Sequence, residues 1–281
     1  MGKFDWFWKA MGSTAERNNK KSKGIVSSAH ELIPELSLLD DSVLADTVRS
    51  TVSGGNIADK PRFLAGLSVA SQRTLGMTPF NVQNQAVLRL LEGDVIQMAT
   101  GEGKTLVGAM AATGYALTGK RVHLITVNNY LAARDAEWMR PLVEFFGLTV
   151  AAVTESSTRE ERIAAYRCDV VYAPVTEIGF DHLRDNQITS RAQTVQVAAD
   201  VALVDEADSV LVDEALVPLV LAGSEGSQQA TGRITEAVGH LVEGDDYTID
   251  AEGRNAFLTD DGAAKIERLL GIESLLSLIH I

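Results

Sequence analysis

The spacing of apolar positions changes character along the chain. Phe4, Phe7, Trp8 and Met11 fall at i, i+3, i+4 and i+7, one face of a short helix, with Lys3 and Lys9 off that face. Such a face suits either an anionic membrane surface or membrane-bound partner, or packing on the chain's own domain. The polar, basic stretch Asn18–Gly24 reads as a linker. A helical region follows to about Ser50, broken or kinked at Pro34, and Ser53-Gly54-Gly55-Asn56 reads as a turn.

From Asp94 the period shortens. DVIQMA (94–99), RVHLITV (121–127), LTVAAVT (148–154), DVVYAP (169–174) and VALVDEA (201–207) predict strands. Between them lie helical stretches: TLVGAMAATGYAL (105–117), one running through Trp138, STREERIAAYR (157–167) with a capping box of Ser157 and Glu160, and one after Pro174. Strands alternating with helices predict an α/β fold, a parallel sheet with helices on both faces. After Pro218 the alternation stops. Glycines and acids dominate Gly223–Gly253, followed by a strand-like NAFLT (255–259) and a helix from Gly262 to Gly271, a smaller α+β module. The chain thus divides into a helical region with a basic linker (1–50), a sheet domain (51–221) and a second module (222–281).

Charge sharpens this division. Net charge is −13, which argues against a chain built to grip nucleic-acid phosphates. Residues 1–23 carry six basic and two acidic side chains, whereas residues 201–281 carry four basic and sixteen acidic. The single cysteine, Cys168, excludes a disulfide framework and a cysteine-based zinc cluster, fits a reducing compartment, and reads as a small buried hydrophobe. His182 reads as a surface or interface residue, and the five histidines lack metal-ligand spacing. No run of apolar residues is long enough to span a membrane.

The candidate chemistry begins at MATGEGKT, Met98–Thr105. A strand running into a glycine-rich turn that opens a helix is what a phosphate-binding loop needs, because backbone N–H groups then ring the phosphates at the helix N-terminus. Gly101, Glu102 and Gly103 supply the loop, Lys104 the partner of the β- and γ-phosphates, and the Thr105 hydroxyl a ligand for Mg²⁺. Met98 stands where the general pattern has Gly, so the match is to the helicase-type variant. In VALVDEAD (201–208) a buried strand ends in two carboxylates, Asp205 to hold Mg²⁺, usually through water, and Glu206 to polarise the attacking water. Gln83 in TPFNVQ (78–83), shortly before the loop, has an amide able to read the adenine edge. Together these predict a RecA-like nucleoside-triphosphatase core using ATP and Mg²⁺.

The segments between these motifs are more specific. TVNNYLAARDAEWM (126–139), GFDHLRDN (179–186) and VDEADSVLVDEALVPLV (204–220) strongly resemble SecA, the ATPase motor of bacterial protein export. The resemblance runs from about Pro79 to Leu276, and Asp246–Leu275 looks like the start of the family's preprotein cross-linking domain. It implies preprotein substrates, a SecYEG-type channel, an anionic membrane surface and housekeeping SecA as partners, with no nucleic acid. It also implies a cytoplasmic protein associated with the inner face of the membrane. Three departures, DEALVPL for the usual DEARTPL, APVTEIGFDHLRDN for ATNNEFGFDYLRDN, and the aromatic-rich start, point to an accessory SecA of the actinobacterial kind.

Family members run several hundred residues longer and hydrolyse ATP between two RecA-like domains, the second supplying an arginine finger. On that ground this chain reads as a truncated N-terminal piece that binds Mg-ATP weakly and turns it over slowly. Two other functions share the core: a DEAD-box-like nucleic-acid helicase, and a non-catalytic nucleotide-binding half-motor.

Overall fold

The structure, a computed structural model, describes residues 14–213, 215, 217, 219, 234, 236–249 and 256–271. The expected aromatic helix over Phe4–Met11 lies outside the described residues, as do Glu214, Leu216 and Pro218 of the DEALVPL segment and most of Gly223–Gly253. Chain contacts divide the molecule into two compact units, Met1–Leu221 and Ala222–Ile281.

The first unit begins with α1 (Thr14–Leu36), and here the expected linker is overturned: Asn18–Gly24 is helix, as is Pro34. Ser22, Val26, Ala29 and Leu36 are all buried, at helical spacing i, i+4, i+7 and i+14, so a seam carries the helix straight through the polar run. Helix α2 (Asp41–Ser50) follows. The predicted turn at Ser53–Asn56 is present as a two-residue hairpin joining β1 (Val52–Ser53) to β2 (Asn56–Ile57). Gly54 and Gly55 both adopt positive φ, 57° and 74°, as the primed hairpin turns require.

Asp59 caps α3 (Lys60–Leu75) by accepting the Arg62 N–H at 3.0 Å. Every residue from Phe63 to Ser71 is buried, and a Cβ at Gly66 would strike Val48, so α2 and α3 approach as closely as only glycine permits. With α4 (Asn81–Leu91), α5 (Lys104–Leu117) and α6 (Asn129–Phe145) these helices share one core, centred on Leu44, Phe63, Val87, Met110 and Leu142.

The sheet has the order β4 (Val150–Ala152), β5 (Val170–Pro174), β3 (Val122–Thr126), β6 (Val201–Val204), with all three pairings parallel. Ala112, Ala116, Ala132 and Ala136 of α5 and α6 cover one face, packing on Val122, Leu124, Val170 and Tyr172. The other face is covered by Ala165 and Tyr166 at the end of α7 (Arg159–Ala165) and by Ile178 of α8 (Val175–Gln187). This is the expected α/β architecture. β5, buried at all five positions, shows the continuous apolar run of a strand covered on both sides.

Three expectations shift locally. Asp94–Ala99 forms no strand: it lacks a ladder partner among the described residues, and Val95 is 94 % exposed. The cap of α7 is formed by Thr158 and Glu161, not Ser157 and Glu160; Ser157 instead accepts the Thr154 N–H. Cys168 is half-buried, because it sits on the turn after α7, where its thiol reaches the Ala164 carbonyl.

In the second unit β7 (Tyr247–Ile249), which the sequence did not single out, pairs antiparallel with β8 (Ala256–Leu258) at the predicted NAFLT strand. Helix α9 (Asp260–Leu270) follows, capped by Thr259 and closed by Gly271 at φ 70°. Lys265 pairs with Asp246 at 2.5 Å.

Candidate functional site

Lys104 is the first residue of α5, directly after a loop in which Gly101 and Gly103 take φ values of 85° and 79°. That left-handed backbone, open to glycine at little cost, lets the chain turn from the extended segment into the helix. The loop is tied from within: the Glu102 carboxylate accepts the Ala99 N–H at 3.1 Å, and the Glu102 N–H donates to the Ala99 carbonyl at 3.3 Å.

It is also tied to α4. Gln83 donates from Nε2 to the Glu102 carbonyl at 2.8 Å, and its Oε1 accepts the Phe80 N–H at 2.8 Å. Gln83 is only 6 % exposed, and an amide that reads adenine must first exchange both bonds. A Cβ placed on Gly103 would run into Gln83 Nε2. Gly103→Ala is therefore expected to cost roughly 1–3 kcal/mol through backbone strain and to displace Gln83. Its loop amide resonances should shift while those of β3 stay fixed.

The acidic pair sits at the carboxyl end of β6. Asp205 N–H donates to the Ile125 carbonyl at 2.9 Å, continuing the β6–β3 ladder one residue past the strand. Glu206 then takes φ 54°, the one positive φ outside glycine among the described residues, with its N–H donating to Asp205 Oδ1 at 3.0 Å. Strained backbone of this kind concentrates at functional sites. Glu206 Oε1 stands 3.4 Å from Lys104 Nζ, so the loop and the acidic turn meet across 102 residues of sequence.

Burial pushes the Asp205 carboxyl above the usual carboxylate range. The Glu206 N–H opposes this, the Glu206 charge adds to it, and Lys104 opposes it again. A raised pKa means that protonation of Asp205 favours the folded chain, a contribution lost as pH rises through that pKa, whereas a cation needs the ionised form. Any nucleotide binding that relies on a cation at Asp205 should thus begin to fail on acidification at a higher pH than an ordinary carboxylate gives. Titrating nucleotide affinity against pH tests this, with Asp205→Asn expected to remove that step.

A family model described as the SecA DEAD-like domain matches residues 7–267. The chain belongs to the SecA family. It is 61 % identical over 281 residues to protein translocase subunit SecA 2 of Corynebacterium glutamicum (strain R), covering all of this chain and 37 % of that protein. It is 58 % identical over 281 residues to SecA 2 of Corynebacterium diphtheriae, with the same coverage. It is 51 % identical over 277 residues to protein translocase subunit SecA of Mycobacterium avium (strain 104), covering 98 % of this chain and 36 % of that protein. The chain therefore spans about 37 % of the length of these two SecA 2 relatives.

Among the site residues expected from the sequence, this SecA-family chain brings Gln83, Glu102 and Gly103 into one contact set, and Lys104, Asp205 and Glu206 into another. Thr105 stands half-buried on the first turn of α5, and Gly101 lies exposed in the loop. Among the described residues no group of three or more His, Cys, Asp or Glu is placed to hold a metal. The Thr105 hydroxyl and Asp205 carboxylate are hard oxygen donors, a set that suits Mg²⁺, which keeps several waters and takes phosphate oxygens.

Sequence reasoning missed a buried ionic cluster. Arg162 of α7 donates to Glu177 at 2.7 Å and to Asp181 at 2.8 Å, both on α8, and to the Thr154 carbonyl at 2.7 Å. Tyr166 donates to Asp181 at 2.9 Å, and Arg184 pairs with it at 2.8 Å. The signal was present: two acids four apart on one helix, facing an arginine-bearing helix across a strand.

Proposed function

We propose that this chain is the nucleotide-binding part of an ATP-driven motor subunit of bacterial protein export. The observation that supports it most is the approach of Lys104 to Glu206 at 3.4 Å, which puts a phosphate-loop lysine and a strand-end carboxylate side by side in a member of the SecA family. Lys104 and the loop N–H groups of Gly101–Thr105 would hold the β- and γ-phosphates, with Gln83 seating the loop or turning its amide to the base. Thr105 and Asp205 would hold Mg²⁺, which when bound screens the phosphate charge. Glu206 would accept a proton from the water aligned on the γ-phosphate.

In the proposed motor, residues 51–221 form the first RecA-like domain, 1–50 its helical lead-in, and 222–281 the start of the preprotein cross-linking domain. Preproteins, a SecYEG-type channel, housekeeping SecA and the anionic cytoplasmic face of the membrane are the proposed partners. The names of the relatives, which are translocase subunits, support this reading. No helix among the described residues is long and apolar enough to cross a membrane.

The test is calorimetric titration of the chain with a non-hydrolysable ATP analogue, with and without Mg²⁺, beside a phosphate-release assay. Mg²⁺-dependent binding with slow turnover is expected, since the family resemblance assigns the arginine finger to a second RecA-like domain. Absence of binding, or turnover like that of an intact export motor, would contradict the proposal.

A further inference from the structure

Residues 94–99 carry the chain into the phosphate loop, and among the described residues no strand pairs with them. Their start is tied to the end of α4: the Asp94 N–H donates to the Arg89 carbonyl at 3.1 Å, and the Asp94 carboxylate pairs with the Arg89 guanidinium. Ile96 and Met98 pack on the helical core. Along 95–98 no backbone group bonds to another described residue. The path of the loop's entry is therefore settled at Ala99.

Both backbone groups of Ala99 are taken by one residue. Glu102 donates its N–H to the Ala99 carbonyl at 3.3 Å and accepts the Ala99 N–H on its carboxylate at 3.1 Å. The first bond closes a turn with Gly101 at its third position, where φ 85° is the value a type II turn demands. The second runs from a glutamate back to the N–H three residues earlier, the same reach that closes a capping box. The Glu102 carbonyl then accepts Gln83 Nε2 at 2.8 Å. One residue thus joins the entry segment, the loop and α4.

The charge of Glu102 works against the site in which it sits. A loop that gathers N–H groups and a lysine for phosphate repels its ligand if a carboxylate stands among them. The group that this carboxylate serves is the Ala99 N–H. We propose that Glu102 is a positioning residue: by holding Ala99 it does for the loop what a paired strand does elsewhere, fixing the loop's path before any ligand arrives, and its side chain does not touch the ligand. This rests on the reading of the loop as a nucleotide site. The tie favours binding by preorganising the N–H groups, and the charge opposes it.

The test compares the unsubstituted chain with Glu102→Gln and Glu102→Ala. Both variants lose the charge, and only Gln keeps an oxygen that can accept the Ala99 N–H. Without nucleotide, amide hydrogen exchange followed by NMR should find Ala99 equally protected in the unsubstituted chain and Glu102→Gln. In Glu102→Ala it should exchange about fivefold faster, the value of one ordinary hydrogen bond. Calorimetric titration with a non-hydrolysable ATP analogue and Mg²⁺ should then show Glu102→Gln binding about fivefold more tightly than Glu102→Ala. Glu102→Gln should also exceed the unsubstituted chain by a few-fold at low salt, a gap that closes as salt screens the charge. Equal Ala99 exchange in the two variants, or equal affinity, would overturn the proposal. So would weaker binding by Glu102→Gln than by the unsubstituted chain, since the carboxylate would then serve the ligand directly. If none of the three binds the analogue while the order of exchange holds, the nucleotide reading has failed and the tie at Ala99 stands.

Discussion

On the proposed roles, Glu206→Gln is expected to keep ATP on the protein and to lower its hydrolysis by at least about a hundredfold, the scale for loss of a positioned general base. The same substitution has a second effect that a mere loss of fold cannot imitate. Lys104 and Glu206 are 32 % and 47 % exposed, and a pair so open to water is worth at most about 1 kcal/mol. Removing the carboxylate frees Lys104 for phosphate, so affinity for ATP should rise, but only by a few-fold. Lys104→Ala does the opposite, weakening ATP binding by about a hundredfold or more as the loop loses its only lysine. A fluorescent ATP analogue gives both affinities, and single-turnover phosphate release gives the rate. Wild-type hydrolysis in Glu206→Gln would remove Glu206 from the role of base.

Arg162→Leu lowers stability by roughly 3–5 kcal/mol, the cost of taking one partner out of a buried ionic cluster. Arg162 and Asp181 are only 7 % and 1 % exposed at the side chain, so water cannot solvate the carboxylates left behind. Tyr166 and Arg184 still serve Asp181, whereas among the described residues Glu177 has no ion-pair partner beyond Arg162. For a chain of this size the unfolding temperature should fall by about 10 °C. The triple change Arg162→Leu, Glu177→Gln, Asp181→Asn should recover part of the loss, since the stranded charges go with the arginine. Calorimetry on the three proteins, the unsubstituted chain and the two variants, measures it. A fall below about 3 °C for the single variant would mean that the cluster is a hydrated surface feature.

The parallel sheet was legible because β3, β5 and β6 are short apolar runs bounded by polar turns, and the hairpin because Gly54-Gly55 permits little else. The segment 94–99 reads as strand from the same kind of pattern, yet a strand exists only by pairing, and no neighbouring ladder is encoded in its own six residues. Asn18–Gly24 failed for a different reason. Hydropathy counts Ser22 as polar, but a small hydroxyl residue seats readily in a helix seam, and its spacing to Val26 and Ala29 was the better guide. At the site, sequence separated Lys104 and Glu206 by role and the fold brought them into contact. The two internal bonds of Gln83 follow from the loop's path, which no local pattern prescribes.

The meeting of Lys104 with Glu206 has a bearing on how such a site would behave amid cellular salts. At rest the loop's cation is already answered, so the entrance presents little net attraction to a passing sulfate or inorganic phosphate. A small anion must part the pair and gains one lysine in return. A metal-bearing triphosphate offers Lys104 two phosphate groups at once and offers the carboxylate a water to hold. The Lys104–Glu206 contact would thus tilt the site by a few-fold against common anions and yield to a ligand long enough to satisfy both halves.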